Sequence, residues 1–245
     1  MAMRFVPKRY RHDLPFSYAL GASPCIELLR QHPQWVLAAY LRPSYRPNPG
    51  APDLFQLCAE WGLSPVVDDR PFNRVGAKGN HFLMCAFRKT PTPLCGGANH
   101  ICLHHPGDMG NLGTILRTGL GFGYRDFALI RPCADPCDPR AIRASMGAFF
   151  HVRVQCFEHI GSYLAQFPGH ARYPFMLDGE IRLEQLCPAE PHALVFGNEA
   201  AGLDPSFHAL GSAVRIPHGG EIDSLNLSVA VALAAQACYA RRGTA

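Results

Sequence analysis

The chain has 245 residues, 48% of them hydrophobic, with 17% charged side chains and a formal net charge of +4. That length allows one large domain or two modest ones with a substantial core, and the composition is that of a globular protein rather than a fibrous or disordered one. No window nears 18 uninterrupted apolar residues, which argues against a membrane span. The basic start, residues 1–11, lacks the apolar run of a secretory signal, so a cytoplasmic protein is expected.

Charge and cysteine placement narrow the class further. Residues 1–92 hold 12 Lys+Arg against 6 Asp+Glu, and residues 93–245 hold 11 against 13. A basic excess confined to one region suits a polyanion partner, although a solvated basic surface would have the same composition. Of the ten cysteines, Cys25, Cys58, Cys85, Cys102, Cys156, Cys187 and Cys238 lie within or beside apolar segments, as small hydrophobes do. Cys133 and Cys137 have no second pair at zinc-finger spacing, and His104-His105 is the only histidine doublet. Reduced, mostly buried thiols are expected, and no metal.

In chain order, Ser23-Pro24 before Cys25-Ile-Glu-Leu-Leu-Arg predicts a helix capped by Ser23. Residues 35–41 predict a buried strand, residues 43–52 a proline-rich loop, and residues 53–61 a helix stopped by Gly62. Pro65-Val-Val-Asp and residues 81–87 are further strand candidates. The span 89–99, with Pro91, Pro93, Gly96 and Gly97, reads as a linker. The expected division is a small α/β domain over 1–92, a linker over 93–99 and a larger domain over 100–245.

Beyond the linker the rhythm becomes regular. Strands are predicted at 100–103, 127–130, 152–156, 174–177, 193–196 and 213–216, with helices near 111–120, 139–146 and 158–166, a short one after Asp204, and a last one from about 223 to 241. Such alternation predicts a mostly parallel sheet covered on both faces. Gly119-Leu-Gly121-Phe-Gly123 follows a helix and precedes a strand, so it reads as a helix end and tight turn rather than a phosphate loop.

Three stretches mix glycines with polar side chains at strand–helix junctions: residues 111–118, 196–203 and 216–228. Glycines let the backbone turn sharply and approach a ligand, and ligands of open α/β sheets bind beyond the carboxyl ends of strands. Arg117 keeps company with Leu112, Ile115, Leu116 and Leu120, so it needs either an internal carboxylate or an external phosphate. Asn111 could cap its helix. Glu199, in a glycine-flanked turn, could serve a ligand or start the helix near Asp204. Asp223 and Ser224 are natural caps for the last helix, whereas Asn226 gains little there unless its amide is used.

Together the three stretches resemble the motifs of the SpoU/TrmH branch of the SPOUT methyltransferases. Motif one matches at Asn111, Gly113, Arg117 and Thr118; motif two at Gly197, Asn198, Glu199, Gly202 and Leu203; motif three at Pro217, Ser224, Leu225 and Asn226. Residues 143–149 look like the segment between motifs one and two, and the resemblance covers essentially 99–242. Gly119 and Ala200 depart mildly, standing where the family often has Ala and Gly. The first region resembles, less specifically, the small RNA-binding domain of ribosomal RNA members.

The resemblance implies a trefoil knot in the carboxyl-terminal domain and transfer of a methyl group from S-adenosylmethionine to a ribose 2′-hydroxyl of RNA. Ribosomal RNA is favoured over transfer RNA; the rival reading is a non-catalytic RNA-binding protein on the same fold. It places the cofactor on Phe196, Gly197, Asn198, Gly202, Ile216, Pro217, Ser224 and Leu225. It assigns the acceptor chemistry to Arg117, with Asn111, Glu199, Ser224 and Asn226 orienting Arg117 and the ribose. RNA is expected to contact Arg74, Lys78, Arg88 and Arg117. A homodimer that buries the apolar last helix is also implied.

Overall fold

The computed structural model describes residues 5–46, 54–76 and 81–242; Lys78 and most of the proline-rich loop lie outside these. The chain divides into two units, one of residues up to 90 together with 135–151, the other of residues 91–134 and from 152 onward.

The first unit carries β1 (Phe16–Leu20), α1 (Ala22–Gln31), β2 (Val36–Leu41), α2 (Leu54–Glu60), β3 (Val66–Val67), α3 (Arg70–Val75) and β4 (Leu83–Arg88). Its sheet runs β1-β4-β2-β3, antiparallel except for the β2–β3 pair. α1 turns Cys25, Leu28 and Leu29 inward at helical spacing, against Leu54 and Cys58 of α2 and Cys85 and Phe87 of β4. The helix begins one residue before Ser23; Gly21, at φ 94°, precedes it with no side-chain cap, so the predicted Ser23 cap is not used. β1 and α3 are elements that the sequence pattern does not predict. The segment 135–151 joins this unit because Ile142 and Phe150 complete its core.

In the second unit β5 (His100–His104), β6 (Asp126–Ile130), β7 (Arg153–Phe157), β8 (Ala171–Pro174) and β10 (His192–Phe196) form a wholly parallel sheet of order β7-β6-β5-β10-β8. The two-residue strands β9 (Ile181–Arg182) and β11 (Val214–Arg215) pair separately. Helix α4 (Met109–Gly121) packs on α7 (Leu227–Arg242), and α6 (Ile160–Gln166) follows β7, whereas α5 (Pro139–Ala144) belongs to the first unit and packs on β1. Cys102, Ala128, Ala193 and Val195 pack against Tyr163 and Phe167; by strand alternation Ile101 and Phe127 face α4. A side chain on Gly119 would lie 2.7 Å from the Phe127 ring, so glycine here lets α4 lie close against β6. α4 ends at Gly121 and Gly123 takes φ 81°, the predicted helix end and turn.

The predicted strand at 174–177 stops at Pro174. Phe175 N–H still donates to Val195 O at 2.8 Å, but Met176 N–H donates to Val214 O at 2.8 Å, so the chain changes partner and leaves the sheet. At the amino edge the polar groups are paired internally: His100 with the Tyr163 hydroxyl (3.0 Å), Tyr124 with His192 (2.8 Å), and buried Asp126 with Arg153. These groups already satisfy one another, so that edge is committed to structure and the carboxyl edge is where a site can form. All ten cysteines are free thiols; Cys187, expected among apolar residues, is instead exposed against the Arg241 guanidinium. Among the described residues no helix is long and apolar enough to cross a membrane.

Candidate functional site

Three strand ends build the carboxyl edge. β10 runs into Gly197, where the chain doubles back: the Asn198 side-chain oxygen accepts from Ala200 N–H at 2.8 Å, and Gly202 N–H donates to Asn198 O at 2.9 Å. Gly202 closes the turn at φ 67°, a left-handed angle that favours glycine. Gly197 is required for a different reason. A Cβ there would stand 2.1 Å from the Gly202 carbonyl carbon, so no side chain fits without opening the turn.

Between this turn, the segment after β8 and the loop before α7 lies a cavity of about 390 Å³. Phe175 and Phe196, stacked at 4.4 Å, form part of its apolar lining with Ile216 and Leu225; Asp178, Asn198, Glu199, His218, Asp223 and Ser224 add polar groups. The size and mix suit a small organic ligand with a flat apolar portion. Three carboxylates in the lining suit a ligand carrying positive charge. S-adenosylmethionine, with its adenine, sulfonium and ammonium, fits both features.

Glu199 does not start the helix near Asp204. Its carboxylate reaches the amino end of α4, accepting from Gly107 N–H at 3.1 Å, Asp108 N–H at 3.4 Å and Asn111 Nδ2 at 3.3 Å. A carboxylate at a helix amino end satisfies free N–H groups and meets the positive end of the helix dipole. The cap of α4 itself is Asp108, which accepts from Asn111 N–H at 2.7 Å, so Asn111 is not the cap. The Asn111 amide oxygen instead accepts from Asn226 Nδ2 at 3.2 Å. α7 starts later than predicted: Asn226 caps it by accepting from Ser228 N–H at 2.9 Å, while Asp223 and Ser224 line the cavity. One residue from each motif thus forms the chain Glu199–Asn111–Asn226.

Arg117 is exposed. Leu112, Ile115 and Leu116 turn inward, and the helical period carries Arg117 to the outside, with no hydrogen bond or ion pair to any described residue. Of its two predicted partners the internal carboxylate is absent among the described residues. The expected cofactor residues Phe196, Gly197, Asn198, Gly202, Ile216, Ser224 and Leu225 all line the cavity, whereas Pro217 does not; nor does Arg117, which is expected at the acceptor. Arg74, in α3, and Arg88, ending β4, are exposed in the first unit. The sequence reading missed Phe175, Met176, Leu177, Asp178 and His218 as lining residues. Their signal was position: Asp178 follows a strand's carboxyl end, as Glu199 does.

Residues 98–236 match the SpoU rRNA Methylase family. An uncharacterized tRNA/rRNA methyltransferase of Archaeoglobus fulgidus is 32% identical over 143 residues, 57% of this chain and 63% of its own length. The 23S rRNA (guanosine(2553)-2′-O)-methyltransferase RlmP of Bacillus subtilis is 30% identical over 129 residues, 51% of this chain and 52% of its own. The chain therefore spans about half to two-thirds of the length of these curated relatives. In fold it is similar to an AdoMet-bound rRNA methyltransferase from Sinorhizobium meliloti, with TM-score 0.77, 24% identity, and coverage of 94% of this chain and 88% of that one.

Proposed function

The chain belongs to the SpoU rRNA methylase family, and we propose that it methylates a ribose 2′-hydroxyl of RNA with S-adenosylmethionine, ribosomal RNA being favoured over transfer RNA. The observation that carries the reading is the cavity of motif-two and motif-three residues, joined to motif one through Glu199, Asn111 and Asn226. The ribosomal preference is supported by the name of the Bacillus relative, and the transfer RNA alternative by the broader name of the archaeal one.

When bound, S-adenosylmethionine supplies a methyl group on a sulfonium that leaves as a neutral thioether. Phe196, Ile216 and Leu225 would hold its adenine by apolar contact, with backbone groups of the 197–203 turn orienting it. The harder task lies at the acceptor, because a ribose hydroxyl is a weak nucleophile and must lose its proton. A guanidinium stays protonated in proteins and has no acceptor, so Arg117 is not the base. It clamps the neighbouring phosphate and stabilises the developing alkoxide, while the proton leaves to that phosphate or to water. Asn111, Glu199 and Asn226 position the amino end of the helix that bears Arg117.

RNA affinity is assigned largely to the first unit, where Arg74 and Arg88 have no carboxylate partner among the described residues. Arg11, Arg42 and Arg70 by contrast are neutralised locally. In the double variant Arg74→Glu/Arg88→Glu, RNA binding should weaken and its log–log salt slope flatten by roughly 0.7 per lost contact, with cofactor affinity unchanged. Equal slopes in a salt titration would remove the first unit from the RNA site. A homodimer is part of the reading, supported by Val229, Leu233 and Tyr239 exposed along α7; a monomer in sedimentation velocity would refute it. The cytoplasm is the compartment that ten free thiols fit.

The activity is tested by incubating the protein with labelled S-adenosylmethionine and ribosomal and transfer RNA from cells lacking it, then mapping 2′-O-methyl sites. Binding of both ligands without label transfer would identify the non-catalytic alternative. Label confined to transfer RNA would reverse the preferred substrate.

A further inference from the structure

A second cavity, of about 800 Å³, opens at the carboxyl ends of β5 and β6 and shares residues of the 198–205 turn with the first. His104, His105, Met109, Pro132 and Cys133 line it, and none of its lining residues is Lys or Arg. The two histidine rings stack at 3.7 Å and 27°, and His104 meets the Phe207 ring edge-on at 4.9 Å. The rings thus form a column, Phe207–His104–His105, that ends at the cavity. Burial, then the neighbouring His105, lowers the His104 pKa below its ordinary value, which favours an uncharged His104 ring at neutral pH. Neither imidazole has a hydrogen-bond partner among the described residues.

The backbone at His105 is unusual. It takes φ 58°, the left-handed region that non-glycine residues seldom adopt. Two bonds fix it: His105 N–H donates to Ile130 O at 3.1 Å, and Asn198 Nδ2 donates to His105 O at 2.8 Å. Strain held in this way by surrounding structure tends to occur at ligand sites. Here the bond from Asn198 comes from the turn that bounds the donor cavity.

We propose that this second cavity receives a base of the acceptor RNA, stacked on the His105 ring next to the methyl-donor cavity. Three observations select a base over other occupants. No lining residue supplies the cation a phosphate would need, Met109 and Pro132 add apolar wall, and the stacked His104 and His105 rings, whose nitrogens bond no described residue, line the cavity. Asn198, Ala201, Gly202, Leu203 and Pro205 line both cavities, so a base held in the second lies close to the first. The inference rests on the proposed activity for the identity of the RNA.

The test observes histidine ring signals by NMR, with S-adenosylhomocysteine saturating the first cavity, while AMP, GMP, CMP and UMP are titrated separately. The His104 and His105 rings should shift with at least one nucleotide. His105→Asn, a residue that tolerates the left-handed backbone, should abolish the His104 shift, and His105→Phe should keep nucleotide affinity within a few-fold. In methyl-transfer assays with ribosomal RNA, His105→Asn should raise KM by roughly 10-fold or more, the loss expected from one stacking ring, and His105→Phe should recover most of it. Cofactor affinity should not change in either variant. Absence of shifts with all four nucleotides, or an Asn variant that binds them as wild type does, would overturn the base site. Ring shifts in a wild-type protein that transfers no methyl group would keep the base site and refute the activity instead.

Discussion

Arg117→Ala is expected to lower methyl transfer by about 100-fold or more, the loss typical of removing one preorganised stabiliser of transition-state charge. S-adenosylmethionine affinity should stay within a few-fold of wild type. Both expectations follow from where the side chain lies: it does not line the donor cavity, and it emerges from the exposed side of α4 with no partner among the described residues. Nothing internal depends on it, so the variant should fold and melt like wild type. Calorimetry alongside a single-turnover assay checks the split. Cofactor binding lost with turnover merely halved would contradict the role given to this guanidinium. Lysine should rescue only partly, because it offers a point charge where a phosphate and a nascent alkoxide need a fork of donors.

Gly197→Ala is expected to do the reverse, abolishing detectable cofactor binding while much of the fold survives. The added Cβ would sit 2.1 Å from the Gly202 carbonyl carbon and 2.4 Å from Leu203 N. These are backbone atoms that no rotamer change can move aside. The 197–203 turn must therefore open, and it supplies a large share of the cavity lining. The reason differs from simple exclusion of the ligand: the added methyl meets the far limb of its own turn. A larger residue such as Val should be no gentler. Calorimetric titration with S-adenosylmethionine decides it, and near wild-type affinity in the alanine variant would show that the turn can relax at little cost.

The sequence reading reached most of the second unit because its strands are short apolar runs separated by amphipathic helices, a local signal. It failed where long-range contacts decide. Phe16–Leu20 is a short, mostly apolar run with no alternation to mark it, yet it pairs along its length with β4 as an edge strand. Residues 139–151 follow the rhythm of the second unit, but Ile142 and Phe150 find their core in the first. At the start of α7, Asp223, Ser224 and Asn226 are all good capping residues, so propensity could not choose among them. The bond from Asn226 to Asn111, 115 positions away, ties Asn226 to this place. The motif resemblance pointed to several residues that line the cavity, but not to the contact of Glu199 with the amino end of another helix.

That contact has a consequence for the timing of assembly. Gly107 and Glu199 are separated by 92 positions, and closing so long a loop costs entropy that local helix formation does not. α4 has its own cap in Asp108 as soon as it forms, but the amides of Gly107 and Asp108 wait for the distant turn. A ligand that binds only the closed turn adds its free energy to that closure. Occupation of the donor cavity should therefore be legible in hydrogen exchange at Gly107 and Asp108, protons that belong to a different segment of the chain and are slowed because their acceptor has been held in place.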